Sequence, residues 1–96
     1  MRNTYLVCYD ICDAKRLRQV YKTMRDFGDN LQYSIFECQF TAIDIAKCRH
    51  ELGQIIKYDE DQVIFVDLGP VAGRGDRVIS ALGLPYTTID APCIVV

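Results

Sequence analysis

The chain has no apolar run near the roughly 18 residues that a membrane-spanning helix requires, so a span of that kind is not expected. Asp10 and Asp13 interrupt the N-terminal apolar stretch before it can serve as the core of a signal peptide, and the cytosol is the expected compartment. The five cysteines (Cys8, Cys12, Cys38, Cys48, Cys93) lack finger-like spacing, and their odd number fits reduced thiols better than a disulfide framework. On a single strand, Cys8 and Cys12 would stand roughly 13 Å apart, too far to share an ion. Their expected role is that of small buried hydrophobes. The only histidine, His50, has no nucleophile in a sequence context that would pair with it, which leaves it as an exposed surface residue. Internal repeats, linkers and low-complexity tracts are absent. So is an overall basic character, because 11 Lys and Arg face 13 Asp and Glu for a formal charge of −2.

What is present suits one folded domain. Half of the 96 residues are hydrophobic and a quarter are charged, enough for one two-layer core and not for two. The charge is unevenly spread. Residues 1 to 27 carry six Lys and Arg (Arg2, Lys15, Arg16, Arg18, Lys22, Arg25) against three Asp, while the remainder carries five against ten acids. A nucleic-acid footprint would therefore lie on the first helix and its surroundings.

The organising stretch is YLVCYDICDAKRLR, residues 5 to 18. Tyr5 to Tyr9 reads as a buried strand, and Asp10 is the first charge to interrupt it. Asp13 is placed to N-cap a helix from Ala14 to about Phe27, with Gly28 as its stop. Leu17, Val20, Tyr21, Met24 and Phe27 share one face of that helix, and Lys15, Arg18, Lys22 and Arg25 form a stripe on the other. Such a stripe serves either simple solvation or contacts with backbone phosphates; a carboxylate at a strand's end with cations three to eight residues on sets a candidate metal ligand beside candidate phosphate binders.

Residues 30 to 40, NLQYSIFECQF, read as one bent strand or two short ones hinged near Ser34, since the apolar positions switch from odd to even. Thr41 and Asp44 form a capping pair for a second helix over residues 42 to 57, with Ile45, Cys48, Leu52, Ile55 and Ile56 inward and His50 outward. KYDEDQ is a polar turn, and VIFVDL at 63 to 68 is a strand apolar on both faces. In the Gly-rich loop at 69 to 77, Arg74 and Arg77 are candidate anion holders. The spacing matches no phosphate-loop fingerprint, and a mobile connection is the plainer reading. Its RGD triplet is taken as chance. The chain continues through VISALG and YTTID to an extended CIVV terminus.

Two helices and about four strands imply an α+β sandwich with both helices on one face of the sheet. That leaves residues 5 to 9 and 63 to 66, apolar on both faces, with one face uncovered. A second copy related by a twofold axis is the economical cover, and Ile94, Val95 and Val96 would pair with the neighbour's sheet. On this reading residues 1 to 78 are the domain and 79 to 96 a segment that pairs across the dimer.

Several residues, taken together, resemble the small CRISPR-associated endonuclease family that supplies a subunit of the spacer-acquisition complex. They are Tyr9-Asp10-Ile11 ending the apolar strand, Lys15-Arg16-Leu17-Arg18, Phe27-Gly28, the run from Leu31 to Glu37, and Asp61-Gln62-Val63, over about the first 70 residues. The resemblance implies a ferredoxin-like βαββαβ domain, a homodimer joined through sheet faces, and a divalent metal, Mg²⁺ or another cation, between two copies of Asp10. It also implies metal-dependent hydrolysis of RNA or DNA in some members, and binding of duplex DNA between integrase subunits. Tyr9, Arg16, Arg18 and Phe36 fall at positions the family uses in or around its site. This chain departs from the family at Asn30 and Ile64, where arginines are usual, and the first departure removes a phosphate contact.

One aspartate per chain is too few for a metal nuclease, but two related by symmetry suffice for Mg²⁺, which keeps several waters. The expected chemistry is polarisation of a phosphoryl oxygen and activation of a bound water, with Arg16 and Arg18 on the phosphate. The competing reading is a non-catalytic DNA-binding scaffold for integrase partners, with Asp10 incidental. A toxin-like ribonuclease of similar fold is a third.

Overall fold

The computed structural model describes residues 1–72 and 82–83. Its elements follow the order β1 (Asn3–Asp10), α1 (Ala14–Met24), β2 (Gly28–Gln32), β3 (Ile35–Phe40), α2 (Ala42–Gly53) and β4 (Gln62–Pro70). The strands form one antiparallel sheet in the order β2-β3-β1-β4, the ferredoxin-like arrangement expected from the sequence. The register sets Val7 opposite Phe36 on β3 and Phe65 on β4, so β1 is central and its odd positions face the helices. There Val7, Tyr9, Phe36, Cys38 and Phe40 meet Leu17, Val20, Tyr21 and Met24 of α1 and Cys48 and Leu52 of α2 in one core. Phe36 is fully buried, in edge contact with Tyr21 at 5.6 Å between ring centroids. Truncating it to Ala costs about 3–5 kcal/mol on general grounds, which makes it a cornerstone of this layer.

Both helices begin as their sequences dictate. The Asp13 carboxylate accepts from the Arg16 N–H at 3.0 Å, and Thr41 and Asp44 close a reciprocal capping box. Both end earlier than the apolar periodicity suggests, α1 at Met24 and α2 at Gly53. In α1 the bonding tightens, with Asp26 N–H donating to Thr23 O and Phe27 N–H to Met24 O, so Phe27 packs from a turn. Gly28 is therefore not a helix stop. It opens β2, where a Cβ would collide with the Glu37 carbonyl oxygen and the Cys38 sulfur, so close strand approach is what requires glycine.

Residues 30 to 40 resolve into a hairpin, and the switch of apolar positions is the passage from β2 to β3 around Tyr33-Ser34. The last strand runs on to Pro70, into the stretch expected to be loop. Cys38 and Cys48 are buried, with thiols pushed up to about 12 chiefly by desolvation, and behave as small core hydrophobes. Cys8 is half-buried, but Cys12 is exposed, contrary to expectation, because it lies past the strand's end and its thiol donates to Glu60 O at 2.9 Å. His50 is exposed on α2, as expected. Arg74, Arg77, Cys93, the expected boundary at 78 and the extended terminus lie outside the described residues. Among the described residues no helix is long and apolar enough to cross a membrane.

Candidate functional site

Asp10 is the last residue of β1 and exposed, and its side chain makes no hydrogen bond or ion pair among the described residues. Alternation puts it on the face away from the helices, with Leu6 and Cys8 of its own strand and Ile64 and Val66 opposite them on β4. Ile64, Val66 and Leu68 are 46%, 38% and 39% exposed. The apolar second face expected from the sequence is real, and Asp10 stands at its end.

Behind Asp10 lies a contact set that the sequence presents as a polar turn running into Asp61-Gln62-Val63, with no sign that its members meet. Asp61 has a side chain with 0% exposure, and both of its oxygens are used. Oδ1 accepts from the Cys12 N–H at 2.9 Å and Arg16 Nη2 at 3.2 Å; Oδ2 accepts from the Lys57 N–H and Arg16 Nε, each at 2.8 Å. Arg16 Nη2 also reaches Glu60 at 3.1 Å. The fork from Arg16 holds the Asp61 carboxyl far below the usual carboxylate range, with the Cys12 and Lys57 amides adding to it against desolvation. The same bond to Asp61 raises the Arg16 guanidinium. One buried carboxylate thus ties the β1–α1 loop, which follows Asp10, to the α2–β4 turn. The signal in the sequence is the last of three consecutive acids before a strand, and only its burial separates it from Asp59 or Glu60.

The other candidates divide by depth. Tyr9 is 7% exposed and stacks on Phe36 at 6.2 Å between centroids. Burial, with Tyr21 beside it, pushes the Tyr9 hydroxyl well above the usual phenol range. Tyr9 and Phe36 therefore meet Asp10 only through the strand they brace. Lys15, Arg18 and Lys22 are exposed on α1, and Arg25 is exposed at its C-cap. Arg16, by contrast, has Nε and Nη2 committed to carboxylates and a side chain only 22% exposed.

The model of the family described as CRISPR associated protein Cas2 matches residues 3–71. The chain belongs to that family. It is 35% identical over 96 residues, all of both chains, to a protein of Geobacter sulfurreducens named CRISPR-associated endoribonuclease Cas2. A Thermodesulfovibrio yellowstonii protein named CRISPR-associated endoribonuclease Cas2 2 is 39% identical over 91 residues, covering 90% of this chain and 100% of its own. The crystal structure of Streptococcus pyogenes Cas2 superposes with a TM-score of 0.66 at 34% identity, covering 80% of this chain and 99% of that one. The Cas2 match ends at 71, close to the point where β4 ends.

Among the described residues no group of three or more His, Cys, Asp or Glu is gathered as a metal cage. Asp13 caps α1 and Asp61 is saturated by its four donors, so Asp10 is the uncommitted carboxylate at this end of β1. One such ligand fits a largely hydrated Mg²⁺ poorly in a single chain and adequately as a pair.

Proposed function

We propose that this chain is a CRISPR-associated endonuclease that hydrolyses phosphodiester bonds of RNA or DNA in the cytoplasm, in adaptation and antiviral defence. It works as a homodimer in which two copies of Asp10 hold Mg²⁺ or another divalent cation. The observation that carries this reading is that the uncommitted carboxylate and the uncovered apolar residues share one sheet face. Covering Leu6, Ile64 and Val66 with a second copy gains roughly 25 cal/mol per Å² of apolar surface removed from water. A twofold axis through that face brings both Asp10 side chains to one interface. The C-terminal segment, 79 to 96, pairs across the dimer on this reading. The names of the relatives supply the reaction class: the Geobacter sulfurreducens protein is named an endoribonuclease.

The two Asp10 carboxylates would hold the cation, which would supply Lewis-acid chemistry and a water of lowered pKa. The chain's own residues do the rest. Asp10 orients the site; Arg18, exposed one turn into α1, takes the phosphate and offsets charge developing on it. Arg16, held by Asp61, positions the loop after Asp10 and keeps Nη1 for the substrate. Lys15, Lys22 and Arg25 extend the phosphate track along α1, with Arg74 and Arg77 as further candidates. The test is cleavage of RNA and duplex DNA with and without Mg²⁺, wild type beside Asp10→Asn. Equal cleavage by both would end the proposed role of Asp10.

A second reading rests on Asn30. It replaces a family arginine, and it is 3% exposed with its amide nitrogen donating to Tyr33 O and Ile35 O. It offers nothing to a phosphate, which favours a DNA-binding scaffold for integrase partners. If that is the biological role, Asp10→Asn leaves spacer acquisition intact, whereas neutralising Lys15, Arg18 and Lys22 impairs it.

A further inference from the structure

Tyr33 is the described non-glycine residue with positive φ, at +35°. It occupies the first position of the two-residue turn between β2 and β3, where Gln32 faces Ile35. Turns of that length need a left-handed residue there, and glycine or asparagine is the usual solution because a bulky side chain is strained. This chain accepts strain to keep an aromatic ring. The ring is not folded back for packing: Tyr33 is 52% exposed and enters none of the ring contacts among the described residues. Its backbone is fixed from beneath by Asn30, whose Nδ2 donates to Tyr33 O at 3.0 Å and to Ile35 O at 3.2 Å. A flipped amide would set its oxygen against two carbonyls, so the orientation is determined.

The place of this turn gives the ring a use. Tyr9 N–H donates to Ser34 O at 3.1 Å, extending the β1–β3 ladder one step past Cys8 and Ile35. The turn is therefore fastened to the end of β1, one residue from Asp10. An exposed π-face carried on a held backbone, at the strand end that bears Asp10, offers a stacking surface to a nucleobase, and only an unpaired base has a free face to offer in return.

We propose that Tyr33 is a base-stacking residue that selects unpaired nucleotides next to the Asp10 site, with Asn30 as its positioning residue. This rests on the nuclease reading and adds to it the residue that would hold an unpaired base beside Asp10. The experiment is fluorescence anisotropy of the full chain with a labelled ten-nucleotide single-stranded RNA, the matching DNA, and a blunt duplex. Tyr33→Ala is expected to weaken single-strand affinity about tenfold, in line with stacking on one aromatic ring, and Tyr33→Phe to restore it. The duplex affinity should change by much less. Tyr33→Gly, which relieves the strained φ, should bind as poorly as Tyr33→Ala while melting no lower than wild type. Asn30→Ala should lose single-strand affinity, and adding Tyr33→Ala to it should lose little more. Single-strand affinity unchanged in Tyr33→Ala overturns the inference while leaving the nuclease reading standing. A wild-type chain that binds none of the three probes sinks the nuclease reading instead.

Discussion

Asp10 and Asp61 occupy the same end of the sheet, since Asp10 pairs with Gln62 and Asp61 immediately precedes it. One ends a strand in solvent with no protein partner among the described residues; the other is sealed beneath the α2–β4 turn with four donors on its two oxygens. A carboxylate with every lone pair occupied is structural, because anything it might bind would have to displace bonds to Cys12, Lys57 and Arg16. A carboxylate left open at a surface that also carries arginine is available for chemistry. The difference teaches that charge and position along a strand do not distinguish a ligand from a rivet; the count of satisfied oxygens does.

The largest expected effect follows from exchanging the two perturbations. Asp10→Asn should reduce metal-dependent cleavage at least 100-fold while leaving the melting temperature within roughly 2 °C, because exposed substitutions seldom move stability much. Asp61→Asn should do the reverse. It removes the charge that balances Arg16 and sets an amide N–H₂ against existing donors, lowering the melting temperature by roughly 10 °C. Residual cleavage should then follow the folded fraction. Should Asp61→Asn keep its stability and lose cleavage at a temperature where it is folded, Asp61 belongs to the chemistry and the contrast collapses. A smaller effect is expected for Arg16→Lys, which keeps the charge and loses the Nε and Nη2 fork that spans Asp61 and Glu60. Thermal melting should place it between wild type and Asp61→Asn, by roughly 5 °C from wild type.

The same contrast explains how much is legible in the sequence. Asp13, Thr41 and Asp44 act locally, over three residues, and the capping they imply is what the structure contains. The apolar second face is legible too, because Ile64 and Val66 alternate with Val63 and Phe65 inside one strand. Helix ends are less so: Phe27 and Ile56 keep the apolar period although the backbone has left the helix, since a turn can deliver a side chain to the core equally well. Asp61 is hidden in an acidic turn because its partners, Cys12 and Arg16, are 45 or more residues away. For the same reason Arg16 reads in the sequence as free for phosphate, when most of its fork is already occupied. Tyr33 passes as a strand residue because its φ is a property of the two-residue turn, and the turn becomes visible only once the run divides into β2 and β3.

The smallest effect is in pH dependence, and its sign separates the aspartates further. Asp61 has its folded pKa depressed below the ordinary carboxylate value of about 4, so as pH falls the unfolded chain takes up the proton first. Its contribution to stability is therefore fully present above that value and is lost progressively as pH falls below about 5. An amide at position 61 carries no proton linkage, so the gap in urea midpoint between wild type and Asp61→Asn should be widest near pH 6 and narrow by pH 3. Asp44 and Glu60 are also held low, by Thr41 and by Lys57 respectively, and both remain in the variant. They tilt both curves in the same direction and leave the difference between them to report on position 61. A gap that stays constant from pH 6 to pH 3 would mean that the Arg16 fork does not bind the ionised form preferentially, and the distinction between an anchored and an open carboxylate would lose its electrostatic basis.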